Sequence, residues 1–163
     1  MNMEGASRLV LRAEAVASAP EAVRRYRHPV LSVEPQSLPP LRADRIRMRM
    51  HYAGICGTDV HLLSTDSISG FVRSSAPVFI PEAGRMIGHE GIGQVVEIGA
   101  DVAGIVVGDW VVPASIIDCG TCLPCRSGSP NQCLSATLVG LQEDGLFGTY
   151  ADLPAQLSVV VTP

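Results

Sequence analysis

Four of the five cysteines in this 163-residue chain fall in one stretch, "DCGTCLPCRSGSPNQC", from Asp118 to Cys133. Cys119, Cys122, Cys125 and Cys133 have the spacing C-x2-C-x2-C-x7-C. Four thiolates can close a tetrahedral shell around zinc, and two-residue gaps let consecutive ligands turn toward one ion. The residues between them, among them Gly120, Gly128, Ser129 and Pro130, are too small and polar to bury a core of their own. A structural zinc would replace that core, because its binding free energy is folding free energy. Two other readings share part of the pattern. The first three cysteines match the opening of a bacterial ferredoxin run, whose fourth cysteine comes sooner and precedes a proline. A redox-active C-x-x-C pair leaves the other two cysteines unexplained. Structural zinc accounts for all of them. A closed shell has no position for substrate, however, so any zinc chemistry must be done elsewhere.

The fifth cysteine lies in "GICGTDVH", Gly54 to His61, and "GHEGIGQVVEIGADV" follows at Gly88 to Val102. Cys56 and His89 are natural zinc ligands. Asp59 could accept the second ring N–H of His89 and fix its tautomer, as carboxylates commonly do behind a metal-bound imidazole. Thr58 offers a hydroxyl near the cysteine, and His61 an imidazole, the side chain best suited to moving protons at neutral pH. Taken alone, these residues leave a second reading open. A lone Cys on a strand-to-helix turn is often a small buried hydrophobe, and "GHEG" could be a turn with an inert, hydrogen-bonded His.

Strand signals dominate the rest of the chain, broken at short intervals by Gly and Pro, as in a barrel or sandwich of short strands. The clearest runs from Asp44 to Tyr52, "DRIRMRMHY". Its period of two assigns Ile46, Met48, Met50 and Tyr52 to a buried face and Arg45, Arg47, Arg49 and His51 to water. Further strands are expected at 8–16, 30–33, 91–98, 109–113 and 157–161. A short helix is expected after Gly57, capped by Thr58 or Asp59. Pro35, Pro39 and Pro40 mark one loop, and the polar stretch from Ser64 to Gly84 reads as a surface loop in preference to a substrate lid. "RRYRH", Arg24 to His28, reads as a solvated turn in preference to a phosphate site.

A hydrophobic fraction of 47% suffices for one compact domain without disulfides. Net charge is -4, aromatics make up 4%, and every basic residue is Arg, so there is no basic face rich in stacking residues for nucleic acid. No apolar run approaches the roughly 20 residues of a membrane span. The N-terminal stretch ends in small residues as a signal peptide does, but Arg12 and Glu14 interrupt its apolar part. Clustered cysteines in odd number favour a metal site in a reducing compartment, so a cytoplasmic location is expected.

Five motifs in order now identify a resemblance: "GICGTDVH", "GHEGIGQVVEIG" (Gly88 to Gly99), "GDWVV" (Gly108 to Val112), the four-cysteine loop, and "DGLFGTYADLP" (Asp144 to Pro154). The chain resembles the catalytic domain of the zinc-dependent medium-chain alcohol and polyol dehydrogenases from about Asp44 onward. The resemblance implies a mainly β fold, the GroES-like partly open β-barrel, with few short helices and a structural-zinc loop at 115–136 inside a domain covering 1–163. It implies that Cys56 and His89 are ligands of a catalytic zinc and that Glu90 is a carboxylate some members bring in as a further ligand. Thr58 would hydrogen-bond the substrate oxygen, and His61 would pass its proton toward solvent. Cys119, Cys122, Cys125 and Cys133 would hold the structural zinc. Zinc with an open position acts as a Lewis acid on an alcohol or polyol oxygen, making an alkoxide accessible, from which hydride leaves toward NAD or NADP.

Two parts of that scheme are absent from these residues. The five cysteines are all assigned, so the third catalytic ligand, a Cys, Asp or Glu in the family, is expected from further sequence. No G-x-G-x-x-G element follows a strand and opens a helix, so a Rossmann-type cofactor domain is expected in cis or in trans and the chain alone is expected to be inactive. The apolar face such a domain would cover makes self-association an expectation too. The segment between Cys56 and His89 is longer than in typical members, which leaves the substrate open, with a lean toward sugars and polyols. The alternative reading is a non-catalytic, stand-alone zinc-binding barrel that binds a partner or small ligand.

Overall fold

The computed structural model describes residues 5–16, 25–74 and 76–162. β1 (Ser7–Ala15) and β2 (Tyr26–Pro35) pair antiparallel, and β4 (Arg85–Met86) joins the other side of β1 in a three-stranded sheet. A five-stranded sheet has the order β10-β6-β5-β3-β9, built from β3 (Arg45–Gly54), β5 (Glu90–Ile98), β6 (Trp110–Pro113), β9 (Tyr150–Pro154) and β10 (Ser158–Val161). The two sheets remain open and are joined by the 145–149 segment, where Leu9 N–H donates to Phe147 C=O and Thr149 N–H to Ser7 C=O. The two-residue strands β7 (Ile116–Ile117) and β8 (Thr137–Leu138) pair at the base of the four-cysteine loop. Among the described residues helix is confined to α1 (Gly57–Leu62), α2 (Leu123–Arg126) and short 3-10 turns. Among the described residues no helix is long and apolar enough to cross a membrane.

Two apolar clusters sit behind these sheets. Ile46, Met48, Val95, Val111 and Leu153 fill the first, under the five-stranded sheet. Leu11, Tyr26, Leu62, Ile80 and Ile87 fill the second, which pins α1 through its fully buried Leu62. Met48 is therefore core packing, as the alternation of β3 predicts. The same alternation fails at three positions, one of them Arg45, whose side chain is 13% exposed and paired with Glu143. Arg47 is buried, because Asp152 on β9 and Glu97 on β5 meet its guanidinium. Tyr52 is 75% exposed, because a bulge between Met50 and Tyr52 turns the strand over.

"RRYRH" is not a solvated turn in its described part: Tyr26 opens β2 and is buried, its hydroxyl oxygen accepting the Ile80 N–H at 3.0 Å. Arg24 lies outside the described residues, as do residues 1–4 and 17–21 of the stretch read against a signal peptide, whose middle forms β1. The cap of α1 is Cys56, neither Thr58 nor Asp59; Asp59 stands at the third helical position and its carboxylate accepts the Cys56 N–H at 2.9 Å. Within the 64–84 loop, residues 64–73 form a small hairpin closed by a Thr65–Val72 bridge, with Phe71 between the guanidiniums of Arg25 and Arg27 at 5.0 and 4.5 Å.

On the outer sheet, Arg12 forms a bidentate pair with Glu34, whose carboxylate also accepts the Ser32 hydroxyl. The Arg12 hydrogen bond, then that of Ser32, lowers Glu34 from 4.5 to about 2. A depressed carboxylate stabilises the fold above its unfolded value and loses that contribution as pH falls through the folded one. NMR titration of Glu34 is therefore expected to give a midpoint near 2, with stability declining between pH 4.5 and about 2. Arg12→Gln should raise the midpoint toward the ordinary range, with the Ser32 hydrogen bond still holding it down in part, and an unchanged midpoint would refute this origin.

Candidate functional site

Strand register brings Cys56 and His89 together. Gly54 at the end of β3 pairs with Glu90 at the start of β5. Cys56 follows Gly54 by two residues and His89 directly precedes Glu90, so both side chains emerge at the same corner of the sheet. Their Sγ and Nε2 atoms are 3.2 Å apart. Behind them lies Asp59, 3% exposed, its Oδ1 facing His89 Nδ1 at 3.9 Å. That separation is too long for a hydrogen bond. Both atoms are buried and neither has a partner among the described residues.

A glycine stack fixes the backbone at His89. Gly88 has φ +92, and a Cβ there would fall 2.4 Å from the Phe147 ring. Gly145 comes so close that a Cβ on it would lie 2.1 Å from the Gly88 carbonyl oxygen. Gly145→Ala is expected to push the Gly88 peptide aside and displace His89, destabilising the fold by about 1–3 kcal/mol. An unchanged urea midpoint together with unchanged His89 chemical shifts would contradict that.

The residues fit a metal. Zinc held by one sulfur at about 2.3 Å and one imidazole nitrogen at about 2.0 Å needs those atoms about 3.5 Å apart in tetrahedral geometry, a small opening of the observed contact. Binding at Nε2 would place the proton on Nδ1, toward the orphaned Asp59 oxygen. Asp59→Asn is accordingly expected to weaken zinc at this corner about 10–100-fold. A chelator competition assay reads the change, and unaltered affinity would remove Asp59 from the role.

The other proposed groups are placed unevenly. Thr58 is half-buried and His61 exposed, three positions apart on one side of α1. Glu90 is exposed with its carboxylate over Gly54, and it is not among the ligand atoms of Cys56, Asp59 and His89 that lie within 4.8 Å of one another. Beside His89 and Glu90 opens a cleft of about 680 Å³, walled by Val112 and Leu157 and by Asp118 and Asn131 of the four-cysteine loop. Neither loop residue carries a sequence signal for that position, since the loop comes near the cleft only through the fold.

The four loop sulfurs form a second centre. Cys119, Cys122, Cys125 and Cys133 also have ligand atoms within 4.8 Å of one another, with Cys122 Sγ 3.3 Å from Cys125 Sγ. α2 supplies Cys125 and is capped by Cys122, while Cys133 follows the 3-10 turn at Pro130–Gln132. Backbone N–H groups of Cys119 and Ser135 point at Cys133 Sγ at 3.3 and 3.4 Å, and that of Cys122 at Cys119 Sγ at 3.4 Å. The Thr121 hydroxyl and N–H, with the Cys122 N–H, lower the Cys119 thiol to about 6. Partial burial, followed by the neighbouring cysteines, pushes Cys125 up to about 12. A divalent cation would resolve that conflict, since a coordinating thiol is deprotonated outright.

Comparison with known proteins identifies the family. The family profile described as the alcohol dehydrogenase GroES-like domain matches residues 42–163. An L-threonine 3-dehydrogenase of Burkholderia ambifaria is 31% identical over 137 residues, covering 84% of this chain and 38% of its own. A short chain alcohol dehydrogenase (rspB) of E. coli CFT073, solved with NADH, superposes with a TM-score of 0.71 at 27% identity, over 97% of this chain and 39% of its own. The alcohol dehydrogenase TADH of Thermus sp. ATN1 superposes with a TM-score of 0.69 at 26% identity, over 96% of this chain and 40% of its own. The chain thus spans 38% of the length of that curated relative.

Proposed function

Because the chain belongs to the alcohol dehydrogenase GroES-like domain family, we propose that it is the zinc- and substrate-binding part of an NAD- or NADP-dependent dehydrogenase that oxidises a hydroxyl to a carbonyl. The observation carrying this reading is the Cys56–His89 contact at 3.2 Å with Asp59 behind it, separate from the four-sulfur cluster. Zinc held by Cys56 and His89 would supply Lewis-acid polarisation of the substrate oxygen. With zinc on Nε2, Asp59 would close on the His89 ring and hold it by accepting a hydrogen bond from Nδ1–H. The Thr58 hydroxyl would accept a hydrogen bond from the substrate hydroxyl and relay its proton by giving up its own as it receives the substrate's, and His61, three positions along α1 and open to water, would pass that proton to solvent. Glu90 stands ready as an additional carboxylate at the rim. Cys119, Cys122, Cys125 and Cys133 hold a structural zinc that stiffens the wall of the cleft.

The substrate is a small secondary alcohol, a polyol or a hydroxy amino acid of the kind in the name of the L-threonine 3-dehydrogenases. The hydride acceptor binds to a Rossmann-type domain in cis or in trans. The exposed Val112 and Val159, paired on one face of β6 and the edge strand β10, offer an apolar surface for such a domain or for a second copy. No G-x-G-x-x-G element occurs in these 163 residues, so the chain assayed alone is expected to hold zinc without turnover. The five unpaired cysteines suit a reducing compartment, and we place the protein in the cytoplasm. Fusion to a Rossmann-type domain should give alcohol oxidation that Cys56→Ser and His89→Ala abolish. A folded, zinc-loaded fusion with no activity on polyols or hydroxy amino acids would overturn the proposal.

A further inference from the structure

We infer that the arginine-lined cleft between β1, β4 and the β3–β9 edge binds a small polyanion, a phosphate- or polycarboxylate-bearing molecule. The cleft encloses about 370 Å³ and shares no lining residue with either cysteine centre. That volume suits a small ligand. Arg8, Arg42, Arg45 and Arg85 line it, a concentration of positive charge in a chain whose net charge is -4. The carboxylates facing them are Glu143, Asp144 and Asp152. Asp152 is held through both oxygens by Arg47, at 2.8 Å each. Glu143 is taken by Arg45 at 2.6 Å, and Asp144 by Arg85 at 2.9 Å. At the rim Arg42 meets Asp44 at 3.2 Å.

Among the described residues Arg8 makes one ion-pair contact, to the far side of Asp144 at 3.7 Å, beyond hydrogen-bond range; Glu34, opposite it on β2, is already held by Arg12. Its Nε and that of Arg45 are buried donors without an acceptor among the described residues. Nearly every buried N–H in a folded protein has a partner, so this excess of donors points to an acceptor-rich ligand. A phosphate or carboxylate group accepts only, and planar guanidiniums match it in bidentate geometry. Such a group between Arg8 and Arg85 would supply the acceptors that Asp144 alone cannot.

The test is an amide NMR titration of the chain with inorganic phosphate, pyrophosphate and citrate, each balanced with chloride to constant ionic strength. We expect saturable shifts centred on Arg85, Met86 and Asp144, with pyrophosphate and citrate separating a phosphate preference from a carboxylate one. Arg8→Gln should weaken binding about tenfold, the loss of one charge-assisted hydrogen-bond donor, with Arg8→Lys intermediate. The rim variant Arg42→Gln, which perturbs packing least, should weaken it less. Non-saturating shifts that chloride reproduces would overturn the inference, and so would wild-type affinity in both glutamine variants.

Discussion

Cys122→Ser is expected to strip metal from the four-cysteine loop and to unfold residues 118–136 while leaving both sheets intact. No residue of that stretch is buried, and its regular structure amounts to α2 and one 3-10 turn. Its order therefore rests on the β7–β8 clamp and on whatever joins the four sulfurs. Structural zinc sites contribute about 10–16 kcal/mol of apparent binding free energy in peptides that fold around them. Serine cannot replace a thiolate in that shell, and most of this contribution disappears with Cys122. The readouts are zinc content and limited proteolysis, with new cleavage expected between Cys119 and Cys133. Because Asp118 and Asn131 wall the cleft beside His89, substrate affinity should fall as well. A loop that stays protease-resistant without metal would show that another force orders it.

Arg47→Met should cost about 3 kcal/mol and lower Tm by about 10 °C. The arginine side chain is 6% exposed and ties three elements together. It is bidentate to Asp152 on β9, meets Glu97 on β5 at 2.6 Å, and donates to the Pro39 carbonyl at 2.6 Å. Methionine fills much of the space but leaves Asp152 and the Pro39 carbonyl without their donor. Asp152 is 22% exposed, so water reaches it in part and the loss stays at the lower end of the range for broken buried pairs. Urea unfolding with a midpoint equal to wild type would mean that the network contributes nothing net.

Arg47 also marks where sequence reading stops. Alternation along β3 separates Met48 from Arg49 because burial on one sheet face is a local, period-two property. It assigns Arg47 to water because the residue's partner Asp152 stands 105 positions away, and no local pattern announces that meeting. Tyr52 is misassigned for a related reason, since the bulge at His51 depends on pairing with β5. The cysteine cluster is legible because its members are close in sequence and of one ligand type. Cys56 and His89 could be singled out by residue type and motif, yet what holds His89 in place was not readable. The contact of Gly88 with Gly145 joins distant segments, and glycines within a motif look alike whether they turn the chain or admit a neighbour. β4, β7 and β8 were missed because two-residue strands carry no periodicity, and β9 because its nearly uniform burial leaves no alternation to read.

The central claim is that this domain carries two metal centres of different kinds, one closed by four thiolates and one open at Cys56 and His89. Equilibrium dialysis of the chain against buffered zinc, with the Cys56→Ser variant alongside, tests it directly. The account predicts about two zinc ions per chain, one tight and one weaker, with only the weaker lost in Cys56→Ser. A single class of site in the wild-type chain, or two sites untouched by Cys56→Ser, would contradict it.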